Sequence, residues 1–279
     1  MEPTNQDKIL PGMDAVVPRK TFRGTLFRNE RWLIGAATIF LFLVLWEVAG
    51  QRNWVDPTFI SRPSLVVRAA IHMIASRDFY GHLYVSAIEF FTGFAAALIV
   101  GAGFGLFIGW YKNLEYSFEP FVMALYSTPR DALIPLLIIW LGIGLYSKVA
   151  VVFLGAVFPI IVNTVAGIQN VDPVLIRAAM SFGAKEGAIF RKVVLPASLP
   201  YMIAGIRLGV GRGLIGFVIG EMYVAEKGIG FLIMRAGSVL KTDDLLFLVS
   251  IIAAFGVLST QLIRKFEEKV GRWRFERNV

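Results

Sequence analysis

The 279-residue chain reads as an all-α, polytopic membrane protein with six transmembrane helices. Three observations predict this. Hydrophobic residues make up 56% of the chain and charged ones only 17%, with a mean hydropathy of +0.66, whereas soluble domains carry about 25% charged residues. Apolar runs long enough to cross a bilayer, about 20 residues each, recur over roughly 32–50, 85–110, 120–142, 147–168, 198–221 and 245–263. Lys and Arg gather mainly on one side of the six-span arrangement.

The first span, WLIGAATIFLFLVLWEVAG, follows a basic tail over 1–31 that holds Lys8, Arg19, Lys20, Arg23, Arg28 and Arg31. That tail is long and no A-x-A cleavage pattern follows, so a retained span is expected rather than a removed signal. Residues 60–265 read as the core domain, with an insert at 171–196, and 266–279 as a second basic tail. Arg264, Lys265, Lys269, Arg272, Arg274 and Arg277 follow the last span, and Arg177, Lys185, Arg191 and Lys192 stand in the insert. Short loops rich in Lys and Arg stay cytoplasmic, so both termini and the insert are expected inside a bacterial cytoplasmic membrane. The run IRKFEEKVGRWRFER, with Trp273 and Phe275, suits an interfacial helix. Membrane-facing flanks account for the net charge of +8 without nucleic acid.

The second span has a small residue at every fourth position, Gly93, Ala97, Gly101, Gly105 and Gly109, and the fifth has Gly205, Gly209 and Gly213. Such faces let helix backbones approach closely. They serve packing within one subunit, contact with a second copy, or the lining of a pathway. In the third span, STPRDALIPLLIIWLGIG, Pro129 and Pro135 lack amide donors and break the ladder. Broken spans occur where a cavity or protein covers the freed carbonyls, so this span is either a pathway wall or a packing kink.

The insert has the punctuation of a shaped element. Asp172-Pro173 is a helix start, a short helix follows over 173–182, and Gly183 supplies the left-handed residue that ends it. A second short helix is expected at about 185–194 with Ile189 and Val193 on one face, stopped by Pro196 and Pro200. Two short helices bent at a glycine, with some apolar side chains exposed, suit a docking element.

Here the chain resembles the binding-protein-dependent ABC importer permeases, whose cytoplasmic EAA loop reads E-A-A-x₃-G-x₉-I-x-L-P. Arg177-Ala178-Ala179, Gly183, Val193, Leu195 and Pro196 meet every spacing. Arg177 replaces the Glu and Val193 the Ile. LIPLLIIWLGIG, FPIIVNTVAGIQNVD and GEMYVAEKGIGFLI resemble the nitrate/sulfonate/taurine branch. The likeness spans roughly 60–275. It implies a type I importer (MetI-like) core of five helices plus one extra N-terminal helix, working as a homodimer. It also implies two separate ATPase subunits that bind ATP and Mg, and an extracytoplasmic solute-binding protein. Arg177, Ala178, Ala179, Gly183, Ile189, Val193, Leu195 and Pro196 would then form the ATPase-coupling element. The cargo would be a small anion such as a sulfonate, taurine or nitrate, or else a thiamine precursor or an aromatic acid.

No G-x-x-x-x-G-K-[ST] occurs, so the chain encodes no phosphate-cradling loop of its own. The absence of cysteine excludes thiolate metal sites and cysteine nucleophiles, and His72 and His82 lack metal-ligand spacing. No nucleophile–base pair argues for a membrane enzyme, and no internal repeat argues for an ion-driven transporter. Candidate ionisable residues within the spans include Glu89, Arg130, Asp131, Arg207, Arg212 and Glu221. Such residues are costly in lipid and often functional. Arg130, Pro135, Arg212 and Glu221 are therefore candidate pathway residues, with Arg130 or Arg212 drawing an anion. The alternative is pairing: Arg130 near Asp131, or Arg212 with a carboxylate such as Glu221.

Overall fold

The computed structural model describes residues 30–224 and 226–275. The basic tail up to residue 29, the side chains of Lys269, Arg272, Trp273, Arg274 and Phe275, and Arg277 lie outside the described residues. Every regular element among the described residues is helical. Five helices are long and apolar enough to cross a membrane, and six when one sharply bent pair counts as a single span.

Contacts divide the chain into two units, 1–45 and 46–279. The described part of the first belongs to helix α1 (Glu30–Gln51), which runs on into the second. Within the second unit, Trp46 Nε1–H donates to the Ser61 carbonyl at 3.2 Å. The Glu47 carboxylate accepts from the Ser64 amide and hydroxyl at 2.9 and 2.8 Å. These bonds tie the end of α1, past the short α2 (Pro57–Ile60), to α3 (Pro63–Ala75).

Helix α4 (Arg77–Trp110) begins two turns before the expected second span. Its early polar residues lower the sequence hydropathy there: Arg77 and Asp78 are exposed, whereas His82 is buried and accepts the Gly228 N–H. Then come α5 (Lys112–Ser127), a 3₁₀ turn over Arg130–Leu133 and α6 (Ile134–Leu141). This is the expected third span, but it starts eight residues earlier and bends by 88° at the break. Thr128, forced into an extended conformation before Pro129, has φ −68° and ψ 134°. Gly142 (φ +75°) and Gly144 (φ +151°) then turn the chain into α7 (Leu145–Gln169) through backbone states that favour glycine.

Helix α7 is the central column. The small-residue face of α4 runs along it in step: Gly93 faces Val152, Gly101 faces Ile160, Gly105 faces Thr164 and Gly109 faces Ile168, so the two helices are parallel. A methyl group built on Gly93 or Gly105 would come 2.7 Å from the facing Cβ, tighter than any real contact. Lipid offers no hydrophobic drive between helices, so this approach supplies the packing.

After α7 come α8 (Pro173–Ser181), α9 (Glu186–Ile189), a π-helical segment over Phe190–Val194, and α10 (Leu195–Val224). Helix α10 packs antiparallel to α7, with Gly205 on Asn163, Gly209 on Ile160 and Gly216 on Val151. All these glycine faces are filled within one subunit. The expected stop at Pro196 and Pro200 does not occur. From Glu186 to Tyr223 the chain is one continuous span. In the π segment the Leu195 N–H reaches back five residues to the Phe190 carbonyl. That wider turn accommodates Pro196, whose missing N–H and ring bulk would otherwise break an α-helix.

Helix α11 (Ile229–Ser238) and helix α12 (Thr242–Phe275) complete the chain. Helix α12 is antiparallel to α10: Leu214 meets Gly256 and Arg207 meets Glu267. It continues unbroken through Phe275, so the basic run after residue 263 extends the last span rather than forming a separate interfacial helix. The C-terminal ends of α4, α7 and α12 therefore share one end of the molecule with α8. At the other end, Phe79, Ile229, Ile233, Phe247 and Leu248 form a cluster joining α4, α11 and α12, with Val66, Ala70 and Met73 of α3 against it.

Candidate functional site

The insert is built from its caps. Asp172 Oδ1 accepts the Val174 N–H at 2.8 Å, and Pro173 occupies the first helical position, where a donor is not needed. At the far end the Gly183 N–H donates to the Met180 carbonyl at 2.9 Å and the Ala184 N–H to the Ala179 carbonyl at 3.1 Å. This is a Schellman closure with Gly183 (φ +76°) as its left-handed residue. Backbone geometry thus sets the bend between α8 and α9.

Packing then fixes the bent piece to the spans. Ile168, Val171, Ile189 and Val194 form a buried cluster, with Ile176, Ala179, Ala184 and Val193 against it. Trp110 at the end of α4 stacks edge-on with Phe190 at 5.0 Å and donates Nε1–H to Glu186 Oε1 at 3.2 Å. The predicted coupling residues therefore divide in two. Arg177, Ala178 and Gly183 are exposed, whereas Ile189 is buried, and Ala179, Val193, Leu195 and Pro196 are half-buried anchors.

The expected exposed apolar side chains are present, but sequence reasoning did not name which residues they are. Phe182 is 91% exposed, and Met180 and Val174 are exposed on the same short helix. The Arg177 side chain has no hydrogen bond or ion pair among the described residues, so a free cation rims this apolar tip. A bulky residue just before the turn glycine was the available signal for Phe182.

At the opposite end lies a buried polar cluster. Ser86 Oγ–H donates to Glu221 Oε1 at 2.6 Å and the hydroxyl accepts the Ile229 N–H at 2.8 Å. Glu221 Oε2 accepts the Gly230 N–H at 2.6 Å, and His82 Nδ1 accepts the Gly228 N–H at 2.9 Å. A carboxylate, a hydroxyl and an imidazole thus satisfy the orphan amides at the start of α11, where the helix dipole favours negative charge. Next to it, Lys148 of α7 forms an ion pair with Glu89 of α4, both buried. Glu221 is completely enclosed and does not meet Arg212, which corrects the expected pairing. It holds α11 onto α4 rather than facing an open path.

The arginines differ among themselves. Arg207 forms an ion pair with Glu267, joining α10 to α12. Arg130 leaves the broken region and donates Nη1–H to the Gly155 carbonyl and Nη2–H to the Tyr126 carbonyl, each at 2.9 Å. The rings of Tyr126 and Phe158 lie 5.6 and 5.9 Å from its guanidinium. The expected pairing with Asp131 is absent: backbone carbonyls and aromatic faces hold Arg130 instead. Arg212 is exposed on α10, with no hydrogen bond or ion pair among the described residues. Pro135 sits exposed in the first turn of α6.

Comparison with known proteins covers nearly the whole chain. A permease protein named for aliphatic sulfonates transport in Bacillus subtilis is 33% identical, over 87% of this chain and 88% of that protein. The taurine transport system permease protein of Escherichia coli is 28% identical, over 92% of this chain and 95% of that one. Among solved structures, a chain of the MetNI methionine ABC transporter aligns with a TM-score of 0.56 at 20% identity. It covers 78% of this chain and all of that chain, a likeness of fold. Residues 98–272 match the family described as binding-protein-dependent transport system inner membrane component, and the chain belongs to that family.

Proposed function

We propose that the chain is the permease subunit of an ATP-driven importer for small sulfonate-type anions, and that two copies enclose the path. Two partner ATPase subunits bind ATP and Mg and grip the insert, and a solute-binding protein delivers cargo at the opposite end. The end carrying α8 and the basic stretch after Ile263 faces the cytoplasm, as the Lys and Arg distribution favours.

One observation carries the reading: the capped short helix α8, bent at Gly183 from the start of the span that continues through α10, is packed onto α4 and α7 and leaves Phe182, Met180 and Arg177 exposed. An apolar tip rimmed by charge fits a groove on a soluble partner. Because its underside is buried, a push on the tip moves α7 and α10 instead of being absorbed. The sulfonate class rests on the relatives named above.

The test is co-purification with the partner ATPase and uptake of taurine and ethanesulfonate by the assembled transporter. Phe182 is almost fully exposed, so Phe182→Asp is expected to leave the subunit folded. It is expected to weaken ATPase retention by about tenfold or more, as losing a buried aromatic anchor does, and to reduce uptake with it. Full retention and uptake in Phe182→Asp would overturn the coupling role.

A further inference from the structure

Among the described residues, two guanidinium groups within the spans have no carboxylate of their own. Arg130 spends two N–H groups on the Gly155 and Tyr126 carbonyls. The rest of its five donors remain unspent among the described residues. Arg212 spends none on any described residue and is exposed on α10. The two are neighbours around Gly155. That glycine's carbonyl holds Arg130, and a Cβ built on it would lie 2.9 Å from the Arg212 carbonyl oxygen.

Their depth matters. Gly155 lies about 15 Å along α7 from its start and about 21 Å from its end, so the pair sits near the middle of the span. A cation at that depth is costly unless it is paired or faces water. The buried carboxylates Glu89 and Glu221 are committed elsewhere, to Lys148 and to Ser86 and Gly230, and the half-buried Glu267 is paired with Arg207. Asp131 is exposed beside Arg130 and forms no ion pair with either arginine. Counting it, one positive charge is left over.

We infer that Arg130 and Arg212 form an oxyanion-holding site at mid-depth, taking the sulfonate head of the cargo as it passes. This deepens the importer reading and rests on it for the water-filled path. Arg130, clamped by carbonyls and rings, is the fixed half of the site. Arg212, untethered, is the half that swings to meet the anion. Guanidinium donors in a planar fork match a sulfonate or carboxylate oxygen pair, and the match strengthens where water is sparse.

The test uses the natural absence of cysteine. Single cysteines replace Ile215 or Leu208, exposed residues one turn to either side of Arg212. The full transporter is then treated with the negatively charged sulfonatoethyl or the positively charged trimethylammonioethyl methanethiosulfonate. Partner-subunit thiols are subtracted with the cysteine-free permease, and rates are corrected for intrinsic reactivity. The anionic reagent should react about tenfold faster than the cationic one, the scale of local enrichment by a charged cleft. Arg212→Gln should bring the ratio near unity, Arg212→Lys should keep most of it, and ethanesulfonate should slow labelling only while Arg212 is present. No reaction at either position, or a ratio that ignores Arg212, overturns the site. Equal rates for the two reagents with Arg212 in place, together with ATPase retention still sensitive to Phe182→Asp, sink this inference alone. The reverse pattern sinks the coupling reading alone.

Discussion

At the scale of the residue, buried charge decides the outcome. Lys148 and Glu89 are each tolerable in the span only because of the other. Lys148→Met should leave Glu89 buried without its cation and cost about 3–5 kcal/mol. Adding Glu89→Gln should recover much of that loss. Thermal denaturation of the detergent-solubilised subunit measures both, and equal stability of all three proteins would show that the pair does not matter. Gly183 raises a different question. Its φ of +76° with open space around it means that Gly183→Ala meets backbone strain and no steric clash. About 1–2 kcal/mol of strain should loosen the bend locally, read as faster amide hydrogen exchange at Ala184. Unchanged exchange there would remove Gly183 from the mechanics of the bend.

At the scale of the element, glycines separate packing from composition. Gly105 and Gly103 lie on the same helix, yet a Cβ at Gly105 would strike Thr164 at 2.7 Å, while one at Gly103 meets nothing within 4 Å. Gly105→Ala should destabilise α4 against α7 by about 1–3 kcal/mol. Gly103→Ala should be neutral or stabilise by about 0.5–1 kcal/mol, because glycine in a helix interior is entropically costly. Equal effects at both sites, seen in the same denaturation measurement, would contradict the parallel α4–α7 contact. This contrast also marks what the sequence made legible. The apolar runs located the spans, and the spacing of small residues located the packing faces. Asp172-Pro173 and Gly183 located both ends of α8. Pro196 misled, because a proline reads as a helix stop unless a π turn widens the helix around it. Pro129 signalled a break but not its 88° angle, which depends on where the freed groups find partners. The Ser86–Glu221 bond joins residues 135 apart, and no local pattern encodes such a meeting.

At the scale of the whole molecule, the same helices link two ends with different tasks. At one end the buried polar cluster seats α11 against α4; at the other the insert is bolted to α4 and α7. Helix α7, packed along both α4 and α10, connects them, with the arginine pair at its middle. In the proposed mechanism, movement of the insert reaches Arg130 and Arg212 through close-packed backbone, which transmits strain because interiors are dense.

The most direct measurement of the coupling claim places a single cysteine at Phe182 in this otherwise cysteine-free chain and follows maleimide labelling with and without the partner ATPase. The exposed tip should label rapidly in the permease alone, and bound ATPase should slow it by about tenfold or more, as burial in the core of a protein interface requires. Labelling at the same rate in both states would place Phe182 outside the contact and contradict the account.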